Sequence, residues 1–374
     1  MINDYVSAVA RSGGDKLFAQ NHIVESVCRL KFGDSNDMPP LLTIGIPVFN
    51  GEQSIEKTLN SIFNSLQFLS DAHCLEIVIC DNASTDLTSE AIHRFFKHKT
   101  VQGSYFRHDI NLGFDSNLDS IVKLSKGQYV WFFACGDEVK PDAINRLVEK
   151  LRHLSVSNLL LDFDRFGEAD FTLIQLKEHA IKTDLIIKGR NNFTHPRYAP
   201  AISANVINRE KWLGCLNEKF TASGWGHIER ILKILSLSEN SQTAILTGPF
   251  FTLFVDKHGW WTKPDGYKLH LEHLKGIQKM LDFGFSLHAS KTRLKELNGI
   301  VLIRSVVGAR KYGYLFKKND LNEIREYCGF GIYPLVLVGL HIPLRLASFI
   351  FSESQRKALR LGFRKIYKRI FGDQ

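Results

Sequence analysis

Continuous apolar runs and amphipathic segments follow one another in turn along the first part of the chain. Three runs are rich in β-branched and aromatic residues and show no apolar–polar alternation, namely Leu41–Phe49, Leu75–Cys80 and Tyr129–Glu138. The last of them ends in two adjacent carboxylates. Such runs are typical of strands buried on both faces of a parallel sheet. Ser104–His108 is predicted as a further, shorter strand.

Amphipathic segments separate these strands. Their apolar positions recur on one helical face, as Ile55, Leu59, Ile62, Phe63 and Leu66, then Ile92, Phe95 and Phe96, then Leu118, Ile121, Val122 and Leu124. Asp86 suits the N-cap of the second helix. Strand and helix therefore alternate at short spacing. This order predicts an α/β fold with a doubly wound, mostly parallel sheet, flanking helices and right-handed crossovers.

Composition sets the broad class of protein. With 374 residues, the chain is long enough for one large domain with appendages or for two domains. Its 44% hydrophobic and 23% charged residues argue against extensive disorder. The six cysteines include no Cys-x-x-Cys pair, which favours a reducing compartment without disulfides or a cysteine zinc site. The first forty residues lack a signal-peptide pattern, so we expect a cytoplasmic protein.

The net charge of +9 is concentrated near the C-terminus. Between Arg356 and Arg369 there are many basic residues and no acid, and apolar residues recur at helical spacing. Before this segment, Gly331–Phe351 is strongly apolar but is interrupted by Pro334 and Pro343. We interpret both segments as interfacial, docking on an anionic membrane surface. The alternative is a helical hairpin packed on the protein with a solvated basic face, and no motif favours nucleic acid.

Polar side chains follow three of the predicted strands. Asn50 and Glu52 follow the first strand, 81–84 end the second, and Asp137 and Glu138 end the fourth. The carboxyl ends of parallel strands meet at one edge, where open α/β sheets bind ligands. Gly136 would let the backbone turn there. Two adjacent carboxylates repel, and a cation would relieve this repulsion, although a polar turn leading into a helix is the alternative.

Common phosphate-binding fingerprints are missing. Neither Gly-x-Gly-x-x-Gly nor Gly-Lys-Ser/Thr follows the first strand. A nucleotidyltransferase should carry a Gly-rich loop with Lys or Arg there, and 47–51 is not such a loop. A bound phosphate would need another partner, and a metal ion held by Asp137 is the candidate.

Four blocks resemble the successive blocks of family 2 glycosyltransferases with the GT-A fold. They are Ile44–Glu52, Ile77–Asp86, Asn111–Gly113 with Asn117, and Gly127–Glu138. The resemblance covers residues 41–150 and implies an enzyme that transfers a sugar from a nucleotide-sugar donor with inversion. Carried over by position, the implied donor site comprises Pro47, Phe49, Glu52, Asp81, Asn82, Ser84, Asn111, Gly113 and Gly136. Within it, Asp81 would hydrogen-bond the base.

The resemblance also implies a metal site. Asp137 matches the metal-binding acid of the family's D-x-D motif, with Glu138 and His258 as further candidate ligands and Lys257 as a candidate phosphate contact. Cys135 stands where the family usually has the first aspartate. Mg²⁺ or Mn²⁺ could still be held by one acid, the diphosphate and water, so the metal requirement is expected to be weak or dispensable.

The catalytic base in this family lies at the start of a later helix. Ser223–Leu235 resembles that block but lacks the usual Glu-Asp pair, so His227 and Glu229 are the candidate bases. The alternative is that His227 caps the helix and Glu229 forms an ion pair with Arg230 or Lys233. Ahead of it, Ala201–Trp212 resembles the acceptor-side block, where Asn205 and Arg209 are candidate contacts to sugar hydroxyls or phosphate, with solvation at the surface as the alternative.

These inferences predict four regions. They are an N-terminal extension at 1–40, a nucleotide-sugar-binding half at 41–150, an acceptor-binding half at 151–265 and a helical C-terminal region with the basic tail at 266–374.

We expect a peripheral enzyme on the cytoplasmic face of a bacterial membrane, acting on a glycan or lipid-linked acceptor. The alternative is a catalytically degenerate, membrane-associated binding protein, because both the D-x-D and Glu-Asp blocks are altered.

Overall fold

A computed structural model describes residues 39–97, 103–166, 183–188, 201–217, 226–254, 315–322 and 324–325. The chain divides into two compact units. The first comprises Met1–Gly167, Ile174–Asp256 and Gly276–His288, and the second comprises the remainder. In the second unit, the Lys317 amide donates a hydrogen bond to Asp320 at 2.8 Å. The described ranges contain no helix long and apolar enough to cross a membrane.

The first four strands form the parallel half of the sheet. They are β1 (Leu42–Val48), β2 (Leu75–Asp81), β3 (Gly103–Arg107) and β4 (Tyr129–Phe132). Their spatial order is β3-β2-β1-β4, and all three pairings are parallel. Every residue of β1, β2 and β4 is buried, which explains why these runs are apolar without alternation. This part of the predicted fold is confirmed.

Four helices connect or follow these strands. They are α1 (Ile55–Leu66), α2 (Thr88–Phe96), α3 (Phe114–Leu124) and α4 (Ala143–His153). Their buried residues include the predicted apolar positions Ile55, Leu59, Ile92 and Leu118. Helix α3 lies so close to β1 that a Cβ atom at Gly45 would overlap the Ile121 side chain. Glycine at this position therefore permits the close approach of helix and sheet.

The second half of the sheet is mixed. Its strands are β5 (Glu138–Val139), β6 (Asn158–Phe166), β7 (Leu185–Lys188), β8 (Asn205–Asn208) and β9 (Gln242–Phe254). The described sheet continues from β4 in the order β8-β6-β9-β5, and β7 also pairs with β9. Two further helices, α5 (Arg209–Leu213) and α6 (Gly226–Ser236), complete this half.

The predicted strand at Tyr129–Glu138 is shorter than expected. Strand β4 ends at Phe132, and the last backbone bond toward β1 runs from the Phe133 amide to the Gly45 carbonyl at 2.9 Å. The chain then turns at Gly136, whose φ is +111°, and continues as β5, which is antiparallel to β9. The apolar run thus contains the whole of β4, a turn and the start of β5.

Candidate functional site

The loop after β1 is bonded to the loop after β2. The Asn50 amide donates to the Ser84 hydroxyl at 2.9 Å, and the Gly51 amide donates to the Thr88 hydroxyl at 2.8 Å. The Asn50 side-chain oxygen in turn accepts from the Thr85 amide at 2.8 Å. These bonds bring the first two predicted groups of polar residues together at one sheet edge.

Asp81 fixes the shape of the loop after β2. Its side chain is fully buried, one oxygen accepts from the Ser84 amide at 2.8 Å and the other accepts from the Tyr105 hydroxyl at 2.8 Å. Arg107 lies 3.8 Å from the same carboxylate and donates to the Ser84 carbonyl at 2.7 Å. Asp81 therefore links the loop to β3. Its contact with the nucleobase of a donor stays a prediction.

Asn82, Asn111 and Gly113 form one hydrogen-bonded network. The Asn82 side chain donates to Asn111 Oδ1 at 2.8 Å and accepts from the Leu112 amide at 2.8 Å. Asn111 Oδ1 also accepts from the Gly113 amide at 2.9 Å. Residues 111–113 lead directly into α3, and we name them the nucleotide-binding turn after their predicted role, which stays a prediction.

The remaining residues predicted for the nucleoside pocket lie around the loop after β1. Pro47 is buried within β1 opposite Cys80, and Phe49 is half-buried just beyond the strand. Glu52 is exposed, and its carboxylate accepts from the Leu87 amide at 2.8 Å. All three lie at or near the carboxyl end of β1, and their contacts with a nucleoside stay predictions.

Asp137 lies at the same edge, between the two halves of the sheet. Its side chain is only 3% exposed and accepts hydrogen bonds from the Ser203 hydroxyl at 2.6 Å and the Phe254 amide at 3.2 Å. Its backbone carbonyl accepts from the Thr58 hydroxyl of α1 at 3.0 Å. Burial raises the pKa of Asp137 to about 7, while the two side-chain hydrogen bonds oppose this rise.

Glu138 has a different partner from Asp137. It lies in β5, and its side chain forms an ion pair with Lys57, whose ammonium also lies 3.9 Å from the centre of the Phe254 ring. Lys57 engages Glu138 in this structure, and the predicted role of Glu138 as a metal ligand stays a prediction. Within the described ranges, no cluster of three or more His, Cys, Asp or Glu side chains could hold a metal ion.

Cys135 packs against the loop after β1. Its sulfur lies 3.9 Å from the Gly51 carbonyl oxygen. Burial, followed by the charges of Asp137 and Asp86, raises the pKa of the Cys135 thiol to about 12. The neutral thiol is a poor ligand for Mg²⁺ or Mn²⁺, which prefer oxygen. The other two residues predicted to act on the metal or the phosphate, Lys257 and His258, lie outside the described residues.

The candidate bases lie on α6, beside the start of α3. The Gly226 amide donates to Asp115 Oδ1 at 2.9 Å, and the His227 ring lies edge-on to Phe114 with 6.4 Å between ring centres. His227 is 2% exposed, and Glu229 is half-buried on the same helix. The structure thus brings His227 next to the helix that follows the nucleotide-binding turn.

Residues 43–216 match the family model described as glycosyl transferase family 2. These residues form a family 2 glycosyltransferase domain. The domain is similar to the abequosyltransferase RfbV of Salmonella typhimurium, with 38% identity over 104 residues, which are 28% of this chain and 30% of that protein. It is also similar to the GalNAc(5)-diNAcBac-PP-undecaprenol beta-1,3-glucosyltransferase of Campylobacter jejuni, with 26% identity over 30% of this chain and 34% of that protein. The chain therefore matches about a third of the length of these relatives.

Solved structures with a similar fold cover most of the chain. TarS 1-349 of S. aureus in complex with UDP-GlcNAc is 12% identical, covers 85% of this chain and 92% of that chain, and gives a TM-score of 0.52. The mannosyltransferase PcManGT of Pyrobaculum calidifontis, in complex with GDP-Man and Mn2+, is 16% identical, covers 90% of this chain and 89% of that chain, and also gives 0.52. The predicted GT-A fold is confirmed.

Sequence reasoning misassigned one residue of the family 2 domain and missed others. The Arg209 amide donates to the Gln128 carbonyl at 3.0 Å and its side chain to the Val122 carbonyl at 3.1 Å, at the amino end of β4. Its predicted contact with sugar or phosphate is wrong, because that end lies opposite the edge that carries Asp137. The missed residues contact the site through hydroxyl groups, and they are Thr58, Tyr105 and Ser203. Their partners are distant in sequence, so no local signal marks them.

Proposed function

We propose that the chain is a glycosyltransferase that transfers a sugar from a nucleotide-diphosphate-sugar to an acceptor hydroxyl with inversion at the anomeric carbon. The observation that carries this proposal is the hydrogen-bonded convergence of the loops after β1, β2 and β3 within a family 2 domain. Asn50 bonds to Ser84, and Asn82 bonds to the nucleotide-binding turn. Loops ordered in this way suit a nucleotide, since little conformational freedom remains to be lost on binding.

The reaction requires a base for the acceptor hydroxyl. The hydroxyl attacks the anomeric carbon while the diphosphate leaves, and the proton passes to a positioned side chain. His227 is our first candidate, because it lies against Phe114 at the start of the helix that follows the nucleotide-binding turn. Glu229 is the second candidate. Replacing each in turn would identify the base, because loss of a general base typically lowers turnover by about 10²- to 10⁴-fold.

A divalent cation, Mg²⁺ or Mn²⁺, fits at Asp137. This carboxyl is buried, its pKa is raised, and no described lysine or arginine forms an ion pair with it, so a cation would favour its charged form. Such ions often bind one or two carboxylates together with substrate phosphates and water. When bound, the cation would neutralise charge on the leaving diphosphate. Asp137 is the ligand among the described residues in this proposal, and His258 as a further ligand and Lys257 as a phosphate contact stay predictions.

Turnover by the full chain tests the proposed function. UDP- and GDP-sugars are incubated with and without Mn²⁺, and donor hydrolysis or transfer is measured for wild type, Asp137→Ala and Asp142→Ala. Asp142 is an exposed acid paired with Arg146 and serves as the control. We expect activity that falls about 100-fold or more only in Asp137→Ala. Absence of activity in all three proteins would favour the degenerate binding protein.

The acceptor is a glycan or lipid-linked glycan of a bacterial surface polysaccharide or oligosaccharide. Support comes from the Campylobacter relative, whose name includes PP-undecaprenol, and from the basic residues at 356–369. The tail would place the enzyme on the anionic inner face of the membrane. Deleting Ser352–Gln374 should abolish co-sedimentation with vesicles rich in anionic lipid. Undiminished co-sedimentation would contradict the membrane role.

A further inference from the structure

Helices α3 and α6 are joined at two levels by acidic residues of α3. Asp115 accepts a hydrogen bond from the Gly226 amide at 2.9 Å, and Asp119 forms an ion pair with Arg230 at 3.1 Å. The two acids are four residues apart on α3, and their partners are four residues apart on α6. Residues with this spacing lie on one face of a helix. One face of α3 therefore holds one face of α6.

The Asp119–Arg230 pair is more buried than the other described ion pairs on the helices. Arg230 is 3% exposed and also donates to the Cys215 carbonyl. The Trp212 indole donates to Asp119 Oδ1 at 2.7 Å, and the Arg230 guanidinium lies 5.7 Å from the centre of the Trp212 ring. Burial raises the pKa of Asp119, and Arg230 and the Trp212 indole oppose the rise. Removal of one partner of a buried ion pair leaves the other charge buried without compensation, so separation of the two groups is costly.

The same two helices carry both sides of the proposed reaction. Helix α3 begins directly after the nucleotide-binding turn, which is bonded to Asn82. Helix α6 carries His227, whose ring contacts Phe114 in the first turn of α3. The ion pair lies about one turn beyond each of these residues. A shift of α6 along α3 would therefore move His227 relative to the bound nucleotide.

We propose that Asp119 and Arg230 are positioning residues, whose ion pair holds α6 on α3 and so keeps His227 in place beside the nucleotide-binding turn. This inference rests on the proposed function, in which His227 is the base. The two residues touch neither donor nor acceptor in this scheme. They act through the placement of α6.

The first test separates positioning from stability. Asp119→Asn keeps an acceptor for the Trp212 indole but removes the charge that faces Arg230. We expect kcat to fall about 10- to 100-fold, since a displacement of about 1 Å has effects of this size. KM for the donor and Kd for UDP or GDP should stay within about twofold of wild type. Val148→Ala, a buried truncation in α4, is the control for lost stability and should retain kcat.

Arg230 provides a second pair of variants. Arg230→Lys keeps the positive charge beside Asp119 and should retain more activity than Arg230→Met, which removes it. Equal kcat in Lys and Met variants would overturn the proposal, because charge would then have no part in the placement of α6. So would a loss of kcat in Asp119→Asn that is accompanied by an equal loss of nucleotide binding.

A third measurement does not depend on turnover. Amide hydrogen exchange at 226–230 should be faster in Asp119→Asn than in wild type, while exchange at 114–117 stays unchanged. Equal exchange in both proteins at 226–230 would overturn the proposal. If wild type binds nucleotide but transfers no sugar, the proposed function fails, and the exchange data still decide whether the pair holds α6.

Discussion

Buried carboxylates in this site are held by hydroxyl and amide donors. Asp81 accepts from the Ser84 amide and the Tyr105 hydroxyl, and Asp137 accepts from the Ser203 hydroxyl and the Phe254 amide. Each donor comes from a different segment of the chain. Because an unsatisfied buried acceptor is costly, these bonds fix the segments against one another. The acids thus order the site before any ligand is bound.

Replacement of Ser203 tests this ordering. The Ser203 hydroxyl donates to Asp137 and accepts from the Ala134 amide at 2.9 Å, so Ser203→Ala leaves two buried groups without this partner. We expect the free energy of unfolding to fall by about 1–3 kcal/mol. Urea denaturation measures the change, with Ser120→Ala on α3 as the control. An effect no larger than the control's would show that Ser203 does not support Asp137.

His108 predicts a pH dependence at the end of β3. Burial lowers the pKa of His108, while Asn117 and nearby acids oppose the change. His108 therefore binds a proton more readily in the unfolded chain than in the folded protein. The stability that the neutral, buried side chain allows is present above pH about 6.5 and is lost as pH falls below it. The free energy of unfolding, measured from pH 7.5 to pH 5, should fall more steeply in wild type than in His108→Gln. Parallel curves would contradict the prediction.

Among the secondary-structure elements, pattern alone identified the strands that are buried on both faces. Strands β1 and β2 are continuous apolar runs, and the structure places them within one residue of their predicted ends. Strand β4 was overestimated because Phe133 stays buried after the chain has left the ladder. Apolar sequence reports burial, and burial continues through a turn. The end of a strand also depends on Gly136 and on Ser203, which is distant in sequence.

Adjacency in sequence does not reveal that Asp137 and Glu138 have different partners. Asp137 and Glu138 are neighbours, but Asp137 bonds to Ser203 and Phe254, whereas Glu138 pairs with Lys57 of α1. Successive side chains along a strand point to opposite faces, so two neighbouring acids can have separate partners there. The identity of each acid's partner depends on β8, β9 and α1. These contacts are too distant in the chain to be read from local pattern.

The packing of α3 on β1 can be tested with two substitutions. Gly45→Ala places a methyl group against Ile121, and we expect a loss of about 1–3 kcal/mol in the free energy of unfolding. Ile121→Ala is destabilising alone because it leaves a cavity. The double variant should be less destabilised than the sum of the single variants, since each change accommodates the other. Additive losses, measured by urea denaturation, would mean that the overlap is relieved elsewhere.

At the scale of the whole first unit, the two halves of the sheet contribute different parts of the site. The parallel half supplies the loops with Asn50, Asp81 and Asn82, and the mixed half supplies Ser203 and Phe254, which hold Asp137. Asp137 therefore lies where the two halves join. A donor bound by the loops and a cation bound by Asp137 would stabilise both halves together.

Thermal unfolding of the full chain should report the two contributions separately. A ligand that binds only the native state at 100 times its Kd stabilises it by about 2.7 kcal/mol. We expect UDP or GDP to raise the Tm of wild type, and Mn²⁺ to add a further increase when nucleotide is present. Asp137→Ala should keep the increase from nucleotide and lose the part that depends on Mn²⁺, because the loops that hold the nucleotide do not require this carboxylate.

The control is Asp164→Ala, which replaces an exposed acid paired with Lys140 and should behave as wild type. An equal Mn²⁺ increment in wild type and Asp137→Ala would place the cation elsewhere, whereas loss of the nucleotide shift itself would mean that Asp137 orders the loops rather than binding metal.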